Sequence, residues 1–443
     1  MKKFLPLFLT TSLLAVSIAG CGGGETAAPS GSPGGASSSA PSTSGKSDAP
    51  VTLRFSWWGG QARADYTMQM IELYQKQHPN VKIQAEYASF DDYWKKLVPQ
   101  AASNDLPDIF QMSVAYISQY ADRGQIEDLG PHMDKGTIDK SSISQSFLDV
   151  GKYNGKPYQI TLGVNALAVV YDPAMIKAAG APEPSKTWTW SDVETIAAKL
   201  KASGKLLTST IDDRNFFNFY LRTKGKNLFD EKGIGYQDDK MFVDYYTRYQ
   251  KLYNDGYLLS LDKLAQKKDV PEDDEMVLGN AGMSFTWSNL YVADSKAAKR
   301  QLEMAPPPGP DIDKGLFLQS SQGLSVAKNS KNKEEAIKFV NFMINDIEGN
   351  KIMKGERGVP ASTKVQDAIK PLLAPEDQKV FEYVAWAGGQ TKSNNPIDPV
   401  GAVEVTKQLV DMSRQIFYKK TTPEEASAKF RKDAVSIMAK NAK

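Results

Sequence analysis

The sequence predicts an α/β fold built on a largely parallel sheet, and three observations carry that reading. Strand-like and helix-like segments alternate from Val51 onward. The strand-like runs are short and rich in β-branched and aromatic residues, whereas the helical ones repeat their apolar residues at helical spacing. Alternation of this kind lays helices over a sheet whose strands run the same way. At 443 residues the chain has room for two domains, each with its own core.

The elements follow in order. VTLRFSWW (51–58) reads as the first strand and leads into two glycines. An amphipathic helix over 67–78 is stopped by Pro79, and VKIQAEYA (81–88) alternates apolar and polar residues as a strand does. A helix over 91–104, a third strand within 106–113 and a helical segment ending at Gly124 come next. Residues 163–180 pass from strand into helix. Another helix lies within 187–204, with Ser191 and Glu194 spaced as a capping box. Aromatic-rich helices are expected at 215–222 and 241–254, a strand at 281–288 and a strand pair within 315–328. A strongly amphipathic helix over 332–346 and two or three terminal helices complete the chain, with no internal repeat.

The first fifty residues differ in kind. Met1-Lys2-Lys3 precedes an apolar stretch that is short for a membrane span and ends in Ile18-Ala19-Gly20-Cys21. This resembles the bacterial lipobox, in which residues 1–20 are a signal peptide and Cys21 is lipidated to become the mature N-terminus. An ordinary signal peptide with a chance cysteine is the competing reading. The chain's single cysteine falls at the cleavage position, which favours lipidation. Residues 21–50 are rich in Gly, Ser, Ala and Pro and cannot bury enough surface to fold. As a flexible tether they would reach about 30 Å. The expected location is the extracytoplasmic face of the cell membrane.

Composition excludes several classes. The formal charge of +2 and the absence of basic runs interleaved with aromatics speak against nucleic acid. Two histidines, His78 and His132, and one cysteine cannot build a His/Cys metal cluster or an internal disulfide, so no metal or cofactor is expected. Both histidines read as surface residues. No nucleophile elbow, Walker loop, zincin helix or dinucleotide fingerprint occurs. The adjacent acids Asp91-Asp92, Asp212-Asp213 and Glu272-Asp273-Asp274-Glu275 read as helix-dipole or solubility features. A surface enzyme acting on polysaccharide stays as the alternative, because two acids facing across a bond cannot be seen in sequence.

The positive signal is aromatic placement. Trp57, Trp58, Trp287 and Trp386 lie at strand ends or turns, where a flat ring can meet the apolar face of a pyranose. Polar groups that could meet its hydroxyls stand nearby: Gln61, Arg63 and Asp65 beside Trp58, and Ser288 and Asn289 beside Trp287. Trp94, Trp188 and Trp190 are assigned to packing.

Taken in order, SWWGG, LPDIFQM, YADRGQIEDL, KPYQITLGVNALAVVYDPAMIKAAGAPEP, TWTWSD, GMSFTWSN, SVAKNSKNKEEAIKFVNFM and GVPAS resemble extracellular solute-binding proteins of carbohydrate ABC importers, the family that includes maltose-binding protein. The likeness covers 51–443. It implies two α/β lobes joined by crossing strands, with a ligand cleft between them. The N-terminal lobe would hold 51–164 and 320–350, and the C-terminal lobe 165–319 and 351–443. Crossings are implied near Gly163–Asn165, Leu316–Leu324 and Gly349–Pro360. Many members carry a proline where this chain has 161–165, which gives the first hinge its own shape.

The resemblance carries ligand-facing roles to Trp58, Gly59, Gly60, Gln61 and Arg63, and to Gln111 and Met112, where an aromatic residue stands in maltose-binding protein. In the second lobe it carries them to Asn215, Phe216, Phe285, Trp287, Trp386 and Asp398. Trp57, one step out of phase with Trp58, is expected in the core. The implied function is a monomeric, membrane-anchored receptor that captures an oligosaccharide and delivers it to a permease, without catalysis. A peptide, polyamine or metal complex is the rival ligand within the same fold.

Overall fold

A computed structural model describes residues 49–441, except 231–232, 269 and 392–393. Cys21 and residues 1–48 lie outside the described residues.

Eight strands form the main sheet. They are β1 (Val51–Trp58), β2 (Val81–Ala88), β3 (Ile109–Met112), β4 (Ile160–Tyr171), β5 (Met283–Trp287), β6 (Glu303–Ala305), β7 (Leu318–Val326) and β8 (Val359–Pro360). β1 pairs in parallel with β2 and β3. The other ladders are antiparallel: β7 with β3 and β4, and β4 with β5, β6 and β8. The sheet is therefore mixed rather than largely parallel. Periodicity shows that a segment is a strand, but not which neighbour it meets or in which direction.

β4 joins the two halves. Its first residues lie between β7 and β8, and its last residues lie between β5 and β6. All twelve of its residues are buried. β7 accompanies it, with an irregularity at Ser320–Gln322 beside Gly163. The segment expected as a strand pair is thus one long strand with a break at the crossing. Three passages converge there, and they pack backbone to backbone. A Cβ on Gly163 would sit 2.6 Å from the Arg357 carbonyl oxygen, which only glycine permits.

Two cores flank the sheet in the first lobe. Leu53, Phe55 and Trp57 point into one with Tyr74 and Phe339. Phe110 and Met112 point into the other with Tyr93, Trp94 and Tyr120. This is the two-residue alternation of a strand buried on both faces. The second lobe has its own core, which includes Val169, Phe217, Tyr246, Phe285 and Leu409.

The third passage falls later than the expected 350/351 boundary. Helix Ile347–Met353 lies on helix Gln61–Gln77, and Met353 and Ala361 are buried in the first-lobe core. Val359 and Val365 belong to the second. Four helices, Thr363–Ile369, Pro375–Gln390, Ala402–Phe417 and Pro423–Asn441, then finish the chain.

Two local expectations also shift. Helix Trp190–Ala202 begins one residue before Ser191, and its capping box is Thr189 with Asp192. Both spacings fit the motif; burial of Trp188, whose indole donates to the Pro306 carbonyl, accompanies the earlier start. His132 is buried, with Nε2 3.8 Å from Glu127, because its short helix packs inward at Leu129 and Met133.

Candidate functional site

β1 delivers Trp57 and Trp58 to opposite faces. Trp57 is fully buried and stacks on Tyr87 at 5.7 Å. Trp58 is half-buried, edge-on to Phe90 at 5.4 Å and Tyr93 at 5.3 Å, with Trp94 at 5.9 Å. Phe90 remains 45% exposed, so this patch is an open aromatic edge of the first lobe. Beyond it the chain turns directly into helix Gln61–Gln77.

Gly59, at φ +154°, is required by a neighbour: a Cβ there would lie 2.4 Å from the Arg63 side chain. Arg63 folds back to donate to the Trp58 carbonyl at 2.9 Å. Gly60 faces open space at the helix start. Gln61 donates to Asp65 at 2.7 Å and accepts from the Tyr87 hydroxyl at 3.0 Å.

Three candidates are buried and engaged within the fold, although Asp398 also lines a small cavity with Arg214 and Asn395. Gln111 and Met112 are fully buried. Met112 packs among Tyr93, Trp94 and Phe110. The Gln111 amide donates to Gln322 and accepts from Arg357, each at 2.5 Å. Asp398 is 6% exposed, and its carboxylate pairs with Arg214 at 2.5 Å. Gln111 is occupied by hydrogen bonding within the fold and Asp398 by its ion pair, which sequence spacing does not display.

That segment ties the lobes together. Ser118 donates to the Asp398 carbonyl at 2.8 Å, and Asn394 donates to the Ser146 carbonyl at 2.6 Å. Ile397 is buried in the first-lobe aromatic cluster. Trp386 lies on helix Pro375–Gln390 beside Tyr383, with the Lys186 ammonium 5.1 Å from its ring.

Phe216, Phe285 and Trp287 do come together. They line a cavity of about 450 Å³ whose walls all come from the second lobe. Trp287 pairs with Leu167, the β4 residue nearest the crossing among those β5 meets. Phe216 meets Phe285 edge-on at 5.3 Å, and Trp287 rests edge-on against Phe317 at 5.8 Å. Asn215 sits one residue before Phe216, its backbone N–H held by Asp212. Trp58 is not in this cavity.

Sequence reasoning missed the polar half of the lining: Ser209, Thr210, Lys267, Asp274 and Asp294. The acidic run 272–275 was a visible signal, read as solubility. Asp294 had none. Trp190, assigned to packing, is half-buried and lines a separate cavity of about 670 Å³ with Tyr220 and Arg248. Among the described residues no group of three His, Cys, Asp or Glu could hold a metal ion, and no helix is long and apolar enough to cross a membrane.

Two α/β lobes joined by crossing strands, with an aromatic cavity beside the joint, define the class of two-lobe solute-binding proteins. Residues 59–349 match the family described as bacterial extracellular solute-binding protein, and the chain belongs to that family. It is 26% identical over 313 residues to the diacetylchitobiose binding protein DasA of Streptomyces coelicolor, covering 67% of this chain and 70% of that one. A solved extracellular solute-binding protein family 1 structure from Alicyclobacillus acidocaldarius is 28% identical, with a TM-score of 0.72, covering 89% of this chain and 100% of that chain. A periplasmic oligogalacturonide binding protein from Yersinia enterocolitica shares the fold at 23% identity, with a TM-score of 0.73 and the same coverage.

Proposed function

We propose that this protein captures an oligosaccharide against the Phe216–Phe285–Trp287 cavity and hands it to the permease of an ABC importer. It would act as a monomer, held at the outer face of the membrane through lipid on Cys21. The observation that carries the reading is the cavity itself. Aromatic rings form one part of its wall, and Ser209, Thr210, Ser284 and Thr286 supply hydroxyls along the rest. A sugar ring asks for that combination: an apolar face to stack and hydrogen-bonding groups at its rim. DasA is named for a disaccharide, and the Yersinia protein for an oligogalacturonide.

Ligand held on the second lobe would favour the arrangement in which the first lobe's Trp58–Phe90 edge closes over it, by differential affinity for that state. The geometry supports binding without turnover, with the lobes acting as jaws. The test is calorimetry with a panel of oligosaccharides, followed by chromatography of the recovered sugar. Stoichiometric binding of an unchanged sugar is expected. Cleavage over many turnovers would make the protein an enzyme, and an inert panel would remove the saccharide reading.

A further inference from the structure

The cavity beside Trp287 carries more negative charge than a neutral sugar requires. Asp212, Asp273, Asp274 and Asp294 line it against Lys267 and Lys268. Lys267 is already engaged, 2.6 Å from Glu275 and 3.7 Å from Asp273. Asp274 has local donors in the Met276 N–H at 2.8 Å and the Ser209 hydroxyl at 3.2 Å.

Asp294 is different. It projects from helix Leu290–Ala298 into the cavity wall and is only 5% exposed. Among the described residues it has neither a hydrogen-bond donor nor a cation as partner. Burial, and then the charge of Asp274, push its pKa up to about 7. Its carboxyl lines the cavity without a protein donor, so a donor on a bound ligand can take that place.

A hydroxyl could donate to Asp294 but brings no charge to balance its carboxylate form, which burial disfavours. Among the described residues a bare metal ion finds no group of three ligands. An ammonium supplies several donors and a compensating charge, and the half-buried Trp287 ring attracts a cation further. Resting on the saccharide-binding reading, we infer that the ligand is a saccharide bearing a protonated amino group, which Asp294 receives with Asp274 behind it. Asp294 is then a specificity residue: it sets the charge of the sugar that is kept.

The full chain tests this by calorimetry near neutral pH, using short glucosamine oligomers, their fully N-acetylated counterparts, neutral gluco-oligosaccharides and spermidine. The amino oligomers should bind at least about tenfold tighter than their acetylated counterparts, a preference that raised salt diminishes. Asp294→Asn, close to isosteric, should erase the preference for amino over acetylated oligomers. Equal binding of amino and acetylated oligomers overturns the inference and leaves the saccharide reading standing. So does a preference that survives Asp294→Asn. Binding of spermidine with no saccharide of either charge overturns both. Should the variant fail to fold, the wild-type preference alone still decides.

Discussion

Arg357 donates from Nη1 to the side-chain oxygen of Gln111 at 2.5 Å, with both side chains sealed from solvent where the strands cross between lobes. Its Nη2 donates to the Thr67 hydroxyl at 2.8 Å, and the Gln111 amide continues to Gln322 at 2.5 Å. Among the described residues no carboxylate answers the guanidinium; the Tyr66 ring faces it at 5.5 Å, and burial lowers its pKa to about 10. Helix Gln61–Gln77, β3, β7 and the approach to β8 are thereby joined at one point. Arg357→Met strands the Gln111 oxygen in a dry site, while the Thr67 hydroxyl keeps its bond to the Arg63 carbonyl at 2.7 Å. A stranded buried group costs about 1–3 kcal/mol, so urea titration should show a loss of that size. An unchanged midpoint would mean that water replaces the guanidinium freely.

The tryptophans separate by what they touch. Trp94 is 6% exposed and stacks on Tyr116 at 3.9 Å, so Trp94→Ala should lower stability by about 3–5 kcal/mol. Trp287→Ala should melt near the wild type and weaken sugar binding about 5- to 150-fold. Trp58→Ala, half-buried against three rings, should cost about 1–3 kcal/mol of stability and weaken binding as well. Calorimetric affinity beside a melting curve for all three checks the ranking. Normal binding by Trp287→Ala would misplace the site.

The 394–398 segment should act as a clasp between lobes. Ile397→Ala removes a buried side chain from the first-lobe aromatic cluster and should cost about 2–4 kcal/mol. Small-angle scattering should report a larger radius of gyration for the ligand-free variant. A lower melting point with unchanged scattering would make Ile397 a packing residue only.

Acid should stabilise the protein through Asp294. Its carboxyl ordinarily titrates at 3.8 and is pushed up to about 7 in the folded chain. Between those values the native state keeps a proton that the unfolded chain has released. The contribution is therefore full below 3.8 and is lost as pH rises through about 7. Asp213, raised to about 8 chiefly by burial, acts in the same direction. The wild type should melt lower at about pH 8 than at about pH 5.5, and Asp294→Asn should narrow that gap. An identical gap in the variant would assign the titration elsewhere.

Membrane attachment has a direct test at Cys21. Cys21→Ala should release the protein into the medium or leave an unprocessed precursor, read by cell fractionation and mass spectrometry. A processed, lipid-bearing variant would refute anchoring at that residue.

The sequence by itself determined the local elements and their order. The phase of VTLRFSWW was enough to separate Trp57 from Trp58, because side chains alternate along a strand whatever surrounds it. The family was legible too, since the spacing of many short motifs along the chain survives without any contact being known. Only the tertiary structure decided what each polar side chain meets. Gln111 lies at a strand end where a ligand was expected, yet Arg357, 246 residues away in sequence, occupies it. Asp398 is taken by Arg214, 184 residues away. Asp294 carries no motif, and its character comes from burial beside Asp274 and a cavity assembled from three separate stretches of chain. Propensity and periodicity are properties of neighbours along the backbone. Burial and hydrogen-bond partnership depend on which distant segments arrive, and that is settled when the crossing strands bring the lobes together.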